Sequence, residues 1–132
     1  MIAKQLSVFL ENKAGRLGKV LRVLKNNQVN IQSLSLADTT EYGMLRLIVD
    51  KPEEGKEKLV AAGFSAMLVD VLLVKIPHSP GSLQDVLEAV AEKEINVEYM
   101  YALTVGDEEA WIVMKTSDME KANQAFETAE NA

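Results

Sequence analysis

What the sequence lacks already excludes several classes of protein. Its 132 residues include no cysteine and a single histidine, so disulfide frameworks, thiolate metal sites and cysteine nucleophiles are excluded. No apolar run approaches the roughly 20 residues that a membrane-spanning helix requires. Residues 1–10 alternate polar and apolar side chains instead of forming a basic segment followed by an apolar one, so we see no secretory signal. We therefore expect a globular protein located in the cytoplasm.

Aromatic and basic residues are also scarce. Aromatic side chains make up 5% of the chain, whereas proteins that bind single-stranded nucleic acid, or RNA on a sheet surface, need several as stacking platforms. Fourteen basic against twenty acidic residues give a formal net charge of −6, which opposes attraction to phosphate backbones and anionic membranes. We expect neither a nucleic-acid partner nor a membrane partner.

An internal repeat is the most informative feature that is present. A shift of 66 residues aligns Leu6, Val8, Gly15, Leu17, Val20, Leu21 and Asn30 with Leu72, Val74, Gly81, Leu83, Val86, Leu87 and Asn96. Apolar periodicity and turn residues repeat together, which is typical of a duplicated domain. We therefore predict two domains, residues 1–69 and 70–132.

The order of elements follows from the periodicity of the apolar residues. In the first copy, residues 6–10 alternate as in a half-buried strand, and apolar residues from Leu17 to Leu24 recur at helical spacing. Asp70 interrupts an apolar stretch that we divide between the last strand of one copy and the first strand of the next. The predicted strands are 6–10, 31–36, 44–49, 65–69, 71–76, 97–103 and 111–115, with turns at 38–43 and 106–109. The first predicted helix begins at Leu17 and ends within residues 26–28, and the other predicted helices are 52–62, 82–93 and 118–129.

These elements predict an α+β fold with two ferredoxin-like βαββαβ domains in tandem. Right-handed crossovers place the two helices of each domain on one face of an antiparallel sheet, which leaves the other face or the edges available for the sheets to pair side by side. By the repeat offset, Ala132 corresponds to Ala66, where the fourth strand of the first copy begins. The second domain should therefore lack its fourth strand, and we expect another segment to cover the open edge.

Few residues are suited to catalysis. The lone histidine and the scattered carboxylates do not form a recognisable set of nucleophile, base or metal ligands. A small hydrolase of the acylphosphatase type shares the βαββαβ topology and uses an arginine, but the loop around Arg16 lacks that family's glycine-rich phosphate cradle. We expect no catalytic residues, no metal and no cofactor.

The loops before the first helix of each copy are better candidates for a binding site. Gly15 and Gly81 allow a tight turn, and the helix that follows presents unpaired amide groups at its positive end, which favours a carboxylate or another anion. A glycine that merely permits a strand-to-helix turn is the alternative interpretation. Its recurrence in both copies, each time with an asparagine fifteen residues later (Asn30 and Asn96), favours a shared binding role.

Two segments, ENKAGRLGKVLRVLKNNQVNI and PHSPGSLQDVLEAVAEKEINV, resemble the opening strand, loop, helix and strand of ACT domains, the regulatory modules of many amino-acid-metabolic enzymes. The resemblance implies a non-catalytic sensory protein that holds a free amino acid between paired ACT domains. In the first copy it implies ligand contacts at Glu11, Asn12, Ala14, Gly15, Arg16, Leu17, Asn30 and Ile31. In the second copy it implies contacts at Pro77, His78, Pro80, Gly81, Ser82, Leu83, Asn96 and Val97.

Pairing through the second strands would set the glycine loop of each copy against the second strand of the other, so that each site is composite. The two sites would differ, because Ala14 stands where the family usually has the proline seen at Pro80, and Asn12 stands where the second copy has His78. We expect self-association, most simply as a homodimer. A purely structural dimerisation module, and a separate regulatory subunit of an enzyme of amino-acid metabolism, are the alternatives.

Overall fold

A computed structural model describes residues 1–11, 13–38 and 42–130 of the chain. These residues form, in chain order, β1 (Ile2–Glu11), α1 (Arg16–Asn26), β2 (Ile31–Asp38), β3 (Tyr42–Val49), α2 (Pro52–Ala61), β4 (Ser65–Pro77), α3 (Ser82–Glu92), β5 (Val97–Val105), β6 (Glu109–Thr116) and α4 (Met119–Glu130). None of these helices has the length and apolar character needed to cross a membrane. The predicted contact at Asn12 and the middle of the predicted turn at 38–43 lie outside the described residues.

The chain forms two compact units. The N-terminal unit comprises Lys4–Val69, and the C-terminal unit comprises Asp70–Ala132 together with Met1–Ala3. The strand order is β2-β3-β1-β4 in the N-terminal unit and β4-β6-β5 in the C-terminal unit. β3 is antiparallel to β1 and β2, and β6 is antiparallel to β4 and β5. This arrangement confirms the predicted α+β fold with two βαββαβ-like units.

Each unit has its own hydrophobic core between its helices and one face of its strands. In the N-terminal unit, Leu6, Val8 and Leu10 alternate along β1 and pack with Leu24 of α1 and Leu59 of α2. The equivalent core of the C-terminal unit includes Leu72, Val74, Ile76, Val90 and Phe126. Burying one such large apolar side chain is worth about 1.5–3 kcal/mol. The repeated apolar positions of the sequence are therefore the positions that build the two cores.

Each of the described strands is longer than the sequence predicted, and the difference is largest for β4 and β1. β4 continues without a break from Ser65 to Pro77, so the division into two strands at Asp70 is wrong. The Asp70 side chain is exposed, and a charged group that stays in solvent leaves the backbone free to continue the strand. β1 spans Ile2–Glu11 instead of residues 6–10.

The edge of the C-terminal unit is occupied by the first residues of the chain. From Asp70 onward, the described residues supply three strands, namely the second half of β4, β5 and β6, so the predicted lack of a fourth strand is confirmed. The Met1 carbonyl accepts a hydrogen bond from the Leu73 N–H at 2.8 Å. The Met1 ammonium donates to the Leu73 carbonyl at 3.4 Å and to Asn123 Oδ1 at 2.9 Å. Such a reciprocal pair of bonds is typical of antiparallel strands, so Met1–Ala3 covers the edge that the missing strand leaves.

The face of β1 that points away from the helices is buried in the middle of the strand. Gln5 and Ser7 are 0% and 5% exposed, and Gln5 Nε2 donates to Ser7 Oγ at 3.0 Å. Ile48 of β3 is also buried. The face becomes exposed towards the end of the strand, at Phe9 and Glu11, where the glycine loop follows.

Candidate ligand-binding loops

The two glycine loops have the same backbone conformation. Gly15 has φ 85° and ψ −8°, and Gly81 has φ 87° and ψ −12°, in the left-handed region that glycine adopts without strain. In both loops the glycine carbonyl accepts the N–H of the residue four positions later, from Lys19 at 3.1 Å and from Asp85 at 3.0 Å. The turn itself therefore favours glycine, whatever the loop binds.

Helices α1 and α3 both begin without a side-chain cap. Because the residue before each helix is glycine, no side-chain oxygen of that residue competes for the amides of the first turn. The positive end of the helix dipole also favours an anion at this place. The first turn of α1 begins with Arg16 and contains no acidic residue, whereas that of α3 contains Asp85. The loop of the N-terminal unit is therefore the better anion site.

Asn30 and Asn96 hold equivalent places immediately before β2 and β5. The Asn30 N–H donates to Asp50 Oδ1 at 2.8 Å, and the Asn30 carbonyl accepts the Asp50 N–H at 3.1 Å. In the C-terminal unit, Ser117 makes the same two contacts with Asn96, at 3.0 Å through Oγ and at 2.9 Å through its N–H. Both asparagine side chains are exposed. The main-chain groups of each asparagine thus stabilise the fold, and the side-chain carboxamide is accessible to a ligand.

The glycine loop and the asparagine do not come together within one unit. Gly15 precedes α1 and Asn30 follows it, and the axial length of an eleven-residue helix is about 16 Å. A shallow hollow of about 390 Å³ lies at the asparagine end, with Lys25, Gln28 and Ile31 among its lining residues. β2, which starts at this hollow, is hydrogen-bonded to β3 alone among the described strands. It is not a neighbour of β5, so the predicted pairing of the two copies through their second strands does not occur within one chain. A site that combines loop and asparagine therefore needs a loop from outside the unit.

A smaller cavity of about 190 Å³ lies at the glycine loop of the N-terminal unit. It is lined by Phe9, Leu10, Glu11, Arg16, Tyr42, Gly63, Phe64 and Ser65. The Glu11 carboxylate lies 3.1 Å from Lys13 Nζ and 3.7 Å from Arg16 Nη2. The hydrogen bond and charge of Lys13, and then the charge of Arg16, lower the pKa of Glu11 from its ordinary 4.5. Glu11 and Arg16 are thus two predicted contacts that lie together in one cavity.

Three aromatic residues of this cavity were missed by the sequence reasoning. Phe9 and Tyr42 stack with ring centroids 4.9 Å apart, and both rings are nearly half exposed. Phe64 is partly buried and packs against the core. The alternation that buries Val8 and Leu10 also places Phe9 on the opposite face, so this position was readable from the sequence. The other two rings come from elements distant along the chain, so their approach to Phe9 was not readable from the sequence.

The equivalent loop of the C-terminal unit has different side chains. By the repeat offset, Pro77 takes the place of Glu11, and Ser82 takes the place of Arg16. Ser82 is 9% exposed, and its hydroxyl lies 2.7 Å from that of Ser79. The polar group of Ser82 is therefore already satisfied inside the loop.

The other predicted contacts of the second loop are exposed. His78 is exposed, and its main-chain N–H donates to the Glu108 carbonyl at 2.9 Å. Pro80 and Leu83 are exposed as well. Over the described part of the chain, no three His, Cys, Asp or Glu side chains are grouped so that they could hold a metal ion.

The remaining predicted contacts are divided between the surface and the cores. Ala14 is exposed in the turn before Gly15. The residues that are partly buried and pack against a hydrophobic core are Leu17, Ile31 and Val97. Their main-chain atoms border the loops and second strands, while their side chains serve the packing of each unit.

A family model and several solved structures are similar to this chain. The family model for the ACT domain pair matches residues 1–129. The crystal structure of protein BT0572 from Bacteroides thetaiotaomicron has a TM-score of 0.94 and 35% identity, covering 98% of this chain and 90% of that one. The ligand-free regulatory subunit of aspartate kinase from Thermus thermophilus has a TM-score of 0.70 and 16% identity, covering 99% and 96%. The corresponding subunit from Thermus flavus has a TM-score of 0.64 and 20% identity, covering 97% and 95%.

The two Thermus subunits, at this low identity, establish a shared fold and no more. No curated protein matches the chain. The family match, in contrast, extends over both glycine loops and nearly all described residues, and the Bacteroides protein is similar over almost its whole length. The chain therefore belongs to the family of ACT domain pairs.

Proposed function

We propose that this chain is a non-catalytic regulatory protein of the cytoplasm that binds a free amino acid at its glycine loops. The observation that carries the proposal is the repeated loop, in which a left-handed glycine leaves the first helical turn without a side-chain cap. Amides at the positive end of a helix bind carboxylates, and every free amino acid has a carboxylate. Membership of the ACT domain pair family supports the same ligand class.

The proposed sites are composite and form in a homodimer. β2 and β5 are each hydrogen-bonded to a single neighbour among the described strands, so a second chain has an edge with which to pair. One site then combines Gly15, Arg16 and Leu17 with Asn96 and Val97. The other combines His78, Gly81, Ser82 and Leu83 with Asn30 and Ile31. The asparagine carboxamide both donates and accepts, which suits it to orient the ligand's polar groups.

A separate regulatory subunit of an amino-acid-metabolic enzyme is the second candidate. This chain matches the regulatory subunit of aspartate kinase from Thermus thermophilus over 96% of the length of that subunit, so the two chains are of similar length. If the protein is such a subunit, it binds the catalytic subunit of an enzyme as well as an amino acid. Co-elution of the two chains in size-exclusion chromatography supports it, and separate elution with and without amino acids contradicts it.

Thermal denaturation in the presence of each of the twenty amino acids tests the proposed function. A ligand that binds the native state alone stabilises it by about 2.7 kcal/mol at a concentration of one hundred times Kd. We expect one amino acid, or a few of similar chemistry, to raise the Tm by several degrees. A uniform absence of any shift contradicts the proposal and favours a purely structural dimerisation module. Light scattering that returns a monomer mass contradicts the homodimer.

A further inference from the structure

The cavity beside Gly15 presents two opposite charges side by side. The Glu11 carboxylate and the Arg16 guanidinium lie 3.7 Å apart, with side chains 46% and 38% exposed. An ion pair with that exposure contributes little to stability because water competes for both groups. Glu11 is also paired with Lys13 Nζ at 3.1 Å, and the Lys13 side chain is 71% exposed, so a ligand's ammonium group replaces two solvent-exposed partners of this carboxylate at small cost. The cavity thus offers one anionic and one cationic group to a molecule that carries both charges itself.

The wall beside these charges is aromatic. Phe9 and Tyr42 stack on each other and remain 46% and 44% exposed, in a chain with only 5% aromatic residues. Phe64 adds a third ring, and its N–H donates to the Leu59 carbonyl at 3.0 Å, which holds its main chain at the end of α2. Clustered exposed apolar surface of this kind is more typical of binding sites than of ordinary surface.

The size of the cavity limits what can occupy it. Its volume of about 190 Å³ is below the roughly 300 Å³ at which pockets for drug-sized ligands begin. A cavity of this size suits a small molecule.

We propose that this cavity selects an α-amino acid with a planar apolar side chain. The ligand's ammonium group binds Glu11, its carboxylate binds the Arg16 guanidinium beside the uncapped first turn of α1, and its side chain packs against Phe9, Tyr42 and Phe64. A zwitterion satisfies both protein charges at once, whereas an amine or a carboxylic acid alone leaves one of them without its partner. This inference rests on the proposed function and adds to it the domain that sets specificity and the class of side chain selected.

The C-terminal unit has no equivalent of this cavity's charge pair. Pro77 and Ser82 stand at the positions of Glu11 and Arg16, and Lys75 stands at the position of Phe9. We therefore expect one such ligand per chain, bound at the N-terminal unit.

Isothermal titration calorimetry of the full chain with L-phenylalanine as the probe tests this inference. We expect phenylalanine to bind, and phenylalanine amide and 3-phenylpropionic acid to bind at least about tenfold more weakly, because each lacks one charge. E11Q and R16Q are each expected to weaken phenylalanine binding about tenfold. E109Q removes an exposed ion pair with Lys75 in the C-terminal unit, at 3.8 Å, and is expected to leave binding unchanged.

The possible results separate this inference from the proposed function. Parental affinity for phenylalanine in both E11Q and R16Q, with Tm values unchanged, contradicts the site while leaving amino-acid binding intact. Leucine binding as tightly as phenylalanine contradicts selection of a planar side chain, and so does binding of other amino acids without phenylalanine. No binding by any of the twenty amino acids overturns the proposed function and this inference together. The two ligand analogues test the charge requirement on the parent protein, so the test does not depend on the folding of a variant.

Discussion

In the N-terminal unit the glycine loop lies beside Glu11 and continues into Arg16, whereas in the C-terminal unit the same turn joins Pro77 to Ser82. The backbone is the same in both, since the loop glycines have φ 85° and 87°. Even the left-handed residue at the end of each first helix recurs, with φ 57° at Gln28 and 58° at Glu94. The duplicated chain thus retains what the fold requires, while the side chains that face a ligand differ. Specificity can therefore reside in one unit although both have the same turn.

The aromatic residues around the two loops also have different neighbours. Lys75, at the position of Phe9, lies 3.8 Å from Glu109 and has its ammonium 6.0 Å from the centroid of the Trp111 ring. Its charge and the neighbouring aromatic face are therefore already engaged with each other. In the N-terminal unit the rings of Phe9 and Tyr42 stack and remain exposed. Both loops thus have paired charges nearby, and the first loop lies in addition beside exposed aromatic surface.

The largest expected effect tests whether the two cores are equivalent. Leu6 and Leu72 occupy the same repeat position, and both are 0% exposed. Leu6→Ala and Leu72→Ala should each lower the free energy of unfolding by about 2–5 kcal/mol, through lost burial and a cavity. Urea denaturation followed by circular dichroism measures this. A cost below about 1 kcal/mol for one of them would show that its unit does not depend on the repeated core position.

The next effect concerns the asparagines. Their main-chain bonds to Asp50 and Ser117 survive removal of the side chain, so Asn30→Ala and Asn96→Ala should fold as the parent does. If the carboxamide makes one buried hydrogen bond to the ligand, each variant weakens binding at its site by about 1–3 kcal/mol, or roughly 5- to 150-fold. Calorimetry with an identified effector measures the loss. Parental binding by both variants rules out the composite sites.

We expect an alanine substitution to lower the free energy of unfolding equally at the two loop glycines. Space is not limiting, because a Cβ built on Gly15 or Gly81 meets no atom within 4 Å. Gly15→Ala and Gly81→Ala should therefore each cost only the left-handed backbone penalty, about 1–2 kcal/mol. Thermal or urea denaturation checks this, with Gly18→Ala inside α1 as the control, since Gly18 also has open space and is expected to gain stability. A clearly unequal cost of the two loop variants would contradict the equivalence of the turns.

The smallest effect is the titration of Glu11. Lys13, through its hydrogen bond and charge, and then Arg16 lower the pKa of this carboxyl from 4.5. Because the folded pKa is below the unfolded one, the stabilisation is present above the unfolded value and is lost as the pH falls through the folded value. A carboxyl-carbon NMR titration should give a midpoint below 4.5, and Lys13→Gln should raise it. A parental midpoint at or above 4.5 would show that the ion pairs do not form in solution.

The repeat made the cores and the loops predictable from the sequence. Leu6, Val8 and Leu10 alternate as a strand must when one face is buried, and Gly15 recurs at Gly81 because only glycine adopts that turn without strain. Glu11 and Arg16 were predicted as contacts by family resemblance, and their placement in one cavity follows from the end of β1 and the start of α1.

Features that depend on non-local pairing were not predictable. The alternation along β1 did not indicate that Gln5 and Ser7 are buried and hydrogen-bonded to each other. Asp70 looked like a break between strands, although its exposed side chain leaves β4 continuous. The aromatic wall was missed because Tyr42 reaches Phe9 only through the pairing of β3 with β1. Such contacts are set by register between distant segments, which local patterns do not encode.

The most direct test of amino-acid binding at the first glycine loop is a two-dimensional amide NMR titration of the parent protein with L-phenylalanine. The account predicts that the backbone signals of Leu17 and Gly18 shift most, in a saturable manner, because their amides lie in the uncapped first turn of α1, whereas the Arg16 N–H already donates to the Lys13 carbonyl at 3.3 Å. Signals at the second loop, such as that of Leu83, should shift less. Unchanged signals at the first turn of α1 at saturating phenylalanine, or shifts confined to the second loop, would contradict the account.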